Sequence, residues 1–346
     1  MGNFKSKPIK EYEIKESKED VMISPQDSKY VEEILKHKKE KDYENLVLEG
    51  GGVKGVAYCG ALEVLDEKGI LKKIKNYAGT SVGAIITTLL AVGYDIDELK
   101  DEIMDLDFGS FLDDKIGIIR DCYHLLHDYG VCSGKVFFDK IGELIEKKTG
   151  DKNFTFWQLK CKYNKKLVLV GTDCENSKPV YFWFGATPTM PIRDAVRISM
   201  SIPYIFQPIH HKNKDTDMIF VDGGLSDNYP IEVFDGDYPE DPYARTNLAP
   251  ENSKTIGLKL ITNNLKPIEF GERCLNKIDS FMSFNTALLE TMMSVNERSH
   301  IHPGYWERSV KIEVPIIPIT KFHISDKLKE ELIKCGRIGA YRFFET

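Results

Sequence analysis

Ile74-Lys75-Asn76-Tyr77-Ala78-Gly79-Thr80-Ser81-Val82-Gly83-Ala84-Ile85-Ile86-Thr87-Thr88-Leu89-Leu90-Ala91-Val92-Gly93 decides the fold. The half-apolar run Ile74–Ala78 suits the end of a strand, and Ala84–Val92 suits a buried helix that Gly93 stops. Between them Gly79-x-Ser81-x-Gly83 marks a sharp strand-to-helix elbow, on which the serine hydroxyl stands exposed above a helix N-terminus. The glycines fit because a β-carbon at either would meet the neighbouring strand or helix. Such a pattern arises by chance in roughly one chain of this length in ten. Its weight therefore comes from what surrounds it.

A chain of 346 residues, 42% hydrophobic and 29% charged, buries a sizeable core as a globular protein. Its net charge of −7 argues against a general nucleic-acid binder, which would show a basic face. The longest uncharged apolar run, Val82–Val92, is too short to span a bilayer. Residues 1–20 contain no apolar core of a signal peptide. Seven scattered cysteines without Cys-x-x-Cys spacing then suit reduced thiols in the cytoplasm. His300 and His302, and the pair His210-His211, lack a second ligand cluster, so no metal site is expected.

Residues 1–42 are charge-rich and form an expected N-terminal arm, with one short amphipathic stretch near Tyr30–Leu35; residues 43–346 form the folded body. In the body, strand Leu46–Leu48, a glycine loop and helix Val56–Glu67 precede the Ser81 elbow. A mostly helical stretch is expected from Asp97 to Lys148, then strands at Lys166–Gly171, Val180–Phe184, Ile219–Val221 and Leu258–Ile261. Helices are expected at Asp279–Arg298 and Ser325–Cys335, with an acidic surface loop at Asp235–Ser253. The alternation predicts an α/β sandwich around a largely parallel sheet.

Two further loops accompany the elbow. Glu49-Gly50-Gly51-Gly52-Val53-Lys54-Gly55 lies between a strand and a helix, where successive N–H groups and the helix terminus favour an anion. It formally matches Gly-x-Gly-x-x-Gly. A dinucleotide fold, however, wants an acidic residue some twenty positions on, where this chain has Ile70-Leu71-Lys72-Lys73. Asp222-Gly223-Gly224 follows an apolar strand and is either a turn or a carboxylate aimed into a cleft. Together the three loops suit acyl transfer. A serine attacking an ester needs a base, and the resulting oxyanion needs preorganised donors. Asp222 would be the base, with Gly51, Gly52 and Val53 offering backbone N–H groups. A free aspartate is feeble in that role, so burial or another tuning of its pKa is required. The alternative base, His210 or His211, precedes the polar tip Lys212-Asn213-Lys214-Asp215 and suits a solvated surface better.

In these segments the chain resembles the patatin-like phospholipases. The match runs through Leu46–Gly55, Gly79–Gly83, Ala195-Val196-Arg197-Ile198-Ser199-Met200-Ser201-Ile202-Pro203 and Asp222–Gly224. The resemblance implies a three-layer α/β/α sandwich, with Ser81 as nucleophile, Asp222 as base and an oxyanion hole on the Gly50–Gly55 loop. It also implies hydrolysis of fatty acyl esters in phospholipids or related lipids, with no cofactor and no metal at the catalytic centre. Glu49 and Lys54 stand where many members carry Asp and Arg, and Asp-Gly-Gly replaces the common Asp-Gly-Ala. An acyltransferase, or a lipid-binding module without chemistry, remains a rival reading. Phe108, Phe111, Leu112, Tyr123, Phe137 and Phe138 either line an acyl channel or belong to the core. Protein activators and head-group preference leave no sequence mark.

Met1-Gly2-Asn3-Phe4-Lys5-Ser6-Lys7 fits N-myristoylation at Gly2. One acyl chain holds a membrane only marginally, so a second contact would be needed. Peripheral attachment of a cytoplasmic protein to a membrane surface is the resulting expectation.

Overall fold

Leu46-Val47-Leu48 is buried on both sides, which makes it a central strand of a parallel sheet covered on both faces. The computed structural model describes residues 42–106, 108–111, 124–125, 127–213, 216–236, 251–262, 278–299, 303–319 and 321–345. Gly2, the expected amphipathic stretch, Leu112, Tyr123, His300, His302 and the Phe111 side chain lie outside them. The strands are β1 (Asn45–Leu48), β2 (Asn76–Gly79), β3 (Gly130–Cys132), β4 (Lys166–Asp173) and β5 (Lys178–Phe182). They continue with β6 (Tyr204–Phe206), β7 (Ile209–Asn213), β8 (Thr216–Asp222), β9 (Thr255–Thr262) and β10 (Ser309–Val314). The helices are α1 (Ala57–Glu67), α2 (Val82–Val92), α3 (Ile96–Asp105), α4 (Lys135–Thr149), α5 (Phe156–Tyr163) and α6 (Ile192–Ser199). The last three are α7 (Phe281–Ser299), α8 (Pro303–Glu307) and α9 (Asp326–Glu345).

The main sheet runs β10-β9-β1-β2-β4-β8-β7, parallel from β10 to β4, with β8 and β7 antiparallel and β5 paired to the other edge of β4. Alternation along the strands divides the core. Leu46 and Leu48 join a large cluster with α1, α2, α4 and α9, while Val47, Ala78, Val168 and Val170 face a smaller one with Tyr181, Trp183, Ile231 and Phe234. Among the described residues the α/β sandwich is thus uneven. One layer is thick and helical; the other is a turn at Pro230–Phe234 and the short α8.

Register on β4 brings the ends of two distant strands together. Leu169 pairs with Gly79 of β2, and Gly171 pairs with Asp222 of β8. Both strands use the edge of β4 opposite β5, because Leu169 and Gly171 also pair with Phe182 and Val180. Gly79 and Asp222 therefore sit two register positions apart on one edge, roughly 7 Å at the usual rise per residue. Since β8 runs against β2, their C-terminal ends face each other.

Several elements depart from expectation. The stretch Asp97–Lys148 is broken by β3, a three-residue strand pairing with β6, too short to show a period. Strands β7 and β10 and helix α5 were also unforeseen. Helix α9 continues past Gly336, which reads as a stop. A Cβ on Gly336 would approach the Ala57 carbonyl oxygen to 1.8 Å, so this glycine serves close helix packing.

Candidate active site

At the elbow Ser81 adopts φ 53°, ψ −126°, a left-handed-side conformation that costs a non-glycine residue on the order of 1–3 kcal/mol. The flanking glycines make the turn sterically feasible. A Cβ on Gly79 would lie 2.4 Å from the Gly83 carbonyl oxygen, and one on Gly83 would lie 2.5 Å from that of Leu48. The Ser81 N–H donates to the Ser199 hydroxyl at 2.9 Å. The Ser81 Oγ lies 3.5 Å from Met200 Sδ. Helix α2 begins immediately after it.

The glycine loop is pinned on both sides. Glu49, 1% exposed, accepts from Lys259 Nζ and from the Leu260 N–H at 2.8 Å, which ties the loop's base to β9. The Gly50 N–H donates to the Asn228 carbonyl at 3.0 Å, and Asn228 Nδ2 donates back to the Gly50 carbonyl at 3.3 Å. Gly52, at φ 57°, starts a 3-10 turn (Gly52–Val56) that leads into α1. The opening N–H groups of such a turn have no partner within it. Gly51 and Gly52 line a pocket together with Ser81 and Asp222. Val53 is buried at the turn, and neither it nor Lys54 is among the lining residues.

Asp222 closes β8 and is 4% exposed. Its Oδ1 accepts from the Gly224 N–H at 2.7 Å, while its Oδ2 is buried and meets no hydrogen-bond donor. Burial pushes this carboxyl up to about 7, against the opposing pull of the Gly224 N–H and the Ser81 hydroxyl. The hydroxyl is thus close enough to favour the ionised carboxylate, yet no hydrogen bond of good geometry to Oδ2 has formed. Such bonds are commonly loose before substrate binds. The main chain of Asp222 is held at both ends. Its N–H donates to the Ser201 carbonyl at 2.9 Å, and its carbonyl accepts from Thr172 Oγ1 at 2.8 Å.

The rest of the pocket is apolar: Ile202, Pro203, Leu225, Leu289, Met293 and Ile319. Leu289 and Met293 come from α7, one turn apart on the same face. Of the aromatic residues considered for an acyl channel, the three with described side chains do not line this pocket. Phe108 and Phe137 are core, and Phe138 lies against the Arg193 guanidinium. His210 and His211 are exposed on the β7–β8 hairpin, away from the pocket lining. Asn228 and the α7 pair carried no motif that could have revealed them. Ser199, Met200 and Ser201 lay inside a recognised segment without an assigned role.

Fold and pocket together define an α/β protein in which a serine on a strand-to-helix elbow, a buried carboxylate and a glycine loop line one pocket. The profile of the Patatin-like phospholipase family matches residues 46–235. An uncharacterized protein of Acanthamoeba polyphaga mimivirus is 32% identical over 302 residues, covering 86% of this chain and 92% of that one. Probable lipid hydrolase 463L of Invertebrate iridescent virus 6 is 31% identical over 198 residues, 56% of this chain and 64% of that one. Among solved structures, VipD from Legionella pneumophila shares the fold, with a TM-score of 0.55 at 16% identity, over 89% of this chain and 69% of that one. The chain belongs to the patatin-like phospholipase family. Lipid hydrolysis is the class of activity that this membership supports.

Proposed function

We propose that the protein is a phospholipase A-type acyl hydrolase in which Ser81 is the nucleophile and Asp222 its base. The observation that carries this reading is the buried Asp222 Oδ2, without a donor, in the pocket that Ser81 and the glycine loop also line. A buried acceptor left unpaired costs about 1–3 kcal/mol, which proton transfer from a serine would turn to use. The raised pKa, near 7, makes this carboxylate a far stronger base than a solvated aspartate.

In the first half-reaction the Ser81 proton passes to Asp222 Oδ2 as Oγ bonds to the ester carbonyl carbon. The carbonyl oxygen becomes an oxyanion facing the N–H groups of Gly51 and Gly52. Collapse breaks the ester bond, and Asp222 returns its proton to the departing alcohol oxygen. Water then gives a proton to Asp222 while attacking the acyl-serine carbonyl, and the fatty acid leaves as Ser81 recovers its proton. The apolar wall of Ile202, Leu225, Leu289, Met293 and Ile319 suits an acyl chain.

Fatty-acid release from phospholipid vesicles by wild type, Ser81→Ala and Asp222→Asn tests the mechanism. Wild-type release with both variants silent is the expected result, and undiminished release by Ser81→Ala contradicts the proposal. Adding a competing alcohol separates hydrolysis from acyl transfer. Membrane attachment through a myristoylated Gly2 belongs to the same proposal, with residues 1–42 as the tether. A Gly2→Ala chain that stays equally membrane-bound in cells would remove that part alone.

A further inference from the structure

Helix α6 ends at Ser199, and the turn that follows touches both proposed catalytic residues. The Ser199 hydroxyl accepts the Ser81 N–H at 2.9 Å, Met200 Sδ lies 3.5 Å from Ser81 Oγ, and the Ser201 carbonyl accepts the Asp222 N–H at 2.9 Å. Ser199 and Ser201 are fully buried and Met200 nearly so. The turn is itself anchored. Arg197, 4% exposed, donates to Ser201 Oγ, to the Ser133 carbonyl at 2.8 Å and to the Gln207 carbonyl at 2.9 Å. Ser201 Oγ in turn donates to the Arg197 carbonyl at 2.8 Å.

We infer that Ser199 is a positioning residue: its hydroxyl fixes the nucleophile elbow at the distance from Asp222 that proton transfer requires. This rests on the Ser81–Asp222 reading and adds to it the device that sets the spacing. Ser81 and Asp222 arrive on different strands, whose ends are brought together by register on β4. Ser81 also holds a strained backbone angle, which persists only where neighbours over-determine it. One hydrogen bond from the α6 turn reaches the strained amide and another reaches the base, so three consecutive residues set both positions. The Ser81 N–H is consumed in this bond. Oxyanion stabilisation then falls to the glycine loop, where Gly51 and Gly52 face the pocket.

A misplacement near 1 Å costs on the order of 10²-fold in rate without destroying the binding surface. The test measures kcat and KM on a soluble short-chain ester, 4-nitrophenyl butyrate, with thermal melting recorded for each variant. Ser199→Ala is expected to lower kcat about 10- to 100-fold with KM within about threefold. Ser199→Cys, nearly the same size and a weak acceptor, is expected to fall between Ala and wild type. Tyr94→Phe loses a buried hydroxyl bond to the Leu144 carbonyl, far from the elbow. It is expected to lower the melting temperature and leave kcat unchanged. A Ser199→Ala kcat within threefold of wild type would overturn the inference. Equal kcat losses in the Ala and Cys variants, matched by a kcat loss in Tyr94→Phe at a similar fall in melting temperature, would do the same. Where Ser199→Ala does not fold, Ser199→Cys and its rate of covalent labelling by a fluorophosphonate decide by the same criteria. Ser81→Ala, run alongside, tells the two claims apart. An active Ser81→Ala sinks the dyad, whereas a silent Ser81→Ala beside an unaffected Ser199→Ala sinks the positioning role alone.

Discussion

The two walls of the pocket are built in opposite ways. Gly51, Gly52, Ser81 and Asp222 sit where strands end, and hydrogen bonds from main-chain N–H groups fix the loops they belong to: Gly50 to the Asn228 carbonyl, Ser81 to the Ser199 hydroxyl, Asp222 to the Ser201 carbonyl. The facing wall of Ile202, Pro203, Leu225, Leu289, Met293 and Ile319 presents only apolar side chains, two of them from α7. Strand ends impose steric rules that only a few residue types satisfy. A packed apolar surface accepts any hydrophobe of suitable volume. In the proposed mechanism chemistry belongs to the constrained wall and selectivity to the adaptable one.

The sharpest way to break this comparison is to exchange the consequences of mutating each wall. Ser81→Ala should lower fatty-acid release by at least about 10³-fold, and Asp222→Asn by about 10²–10⁴-fold, with KM little changed. A loss confined to KM in either variant would mean that the strand-end wall only binds.

Asp222 has a folded-state pKa near 7 against 3.8 when unfolded, raised chiefly by burial. Its contribution to stability is therefore complete below about pH 3.8 and is lost as pH rises through 7. The full span is on the order of 4 kcal/mol at 1.36 kcal/mol per pKa unit. Asp222→Asn should melt higher than wild type at pH 8, with the gap growing between pH 4 and 7 and then levelling. A gap independent of pH would show that the carboxyl is not held near neutral pH. Activity runs the other way, because the base must be ionised to accept a proton. In the proposed mechanism the site thus gives up stability in the pH range where its base is ionised.

The smallest effects are expected from the apolar wall. Leu289→Ala or Met293→Ala should change the preference between long-chain and short-chain esters by about 3- to 10-fold, since each lost methylene contact is worth about 0.8 kcal/mol. Turnover on the short-chain ester should hold. An equal loss on both esters would mean that α7 shapes the reacting end as well.

This division also explains what could be read without coordinates. Gly79-x-Ser81-x-Gly83 was legible because a Cβ at either glycine meets a carbonyl oxygen, so the geometry writes itself into residue type. Asp222-Gly223-Gly224 was legible only in company, since an aspartate before two glycines is usually a turn. The raised pKa of Asp222 was not legible, because it comes from burial by residues scattered along the chain. Asn228 and the α7 pair were equally silent. An asparagine bonding a glycine 178 positions away carries no local signature, nor do two hydrophobes on a helix. The choice between channel and core for Phe108 and Phe137 was open for the same reason, and both are core. Short elements such as β3 and β6 escaped because three residues cannot display a period.

The central claim is that a serine on a strained elbow is activated by a buried carboxylate titrating near neutral pH. The rate of covalent labelling by a fluorophosphonate, followed from pH 5 to 9 with the modified peptide identified by mass, tests it most directly. Modification is expected at Ser81, with a rate that rises with pH around a midpoint near 7 and a flat, slow profile in Asp222→Asn. Modification at another residue, or a wild-type profile unchanged by removal of Asp222, would contradict it.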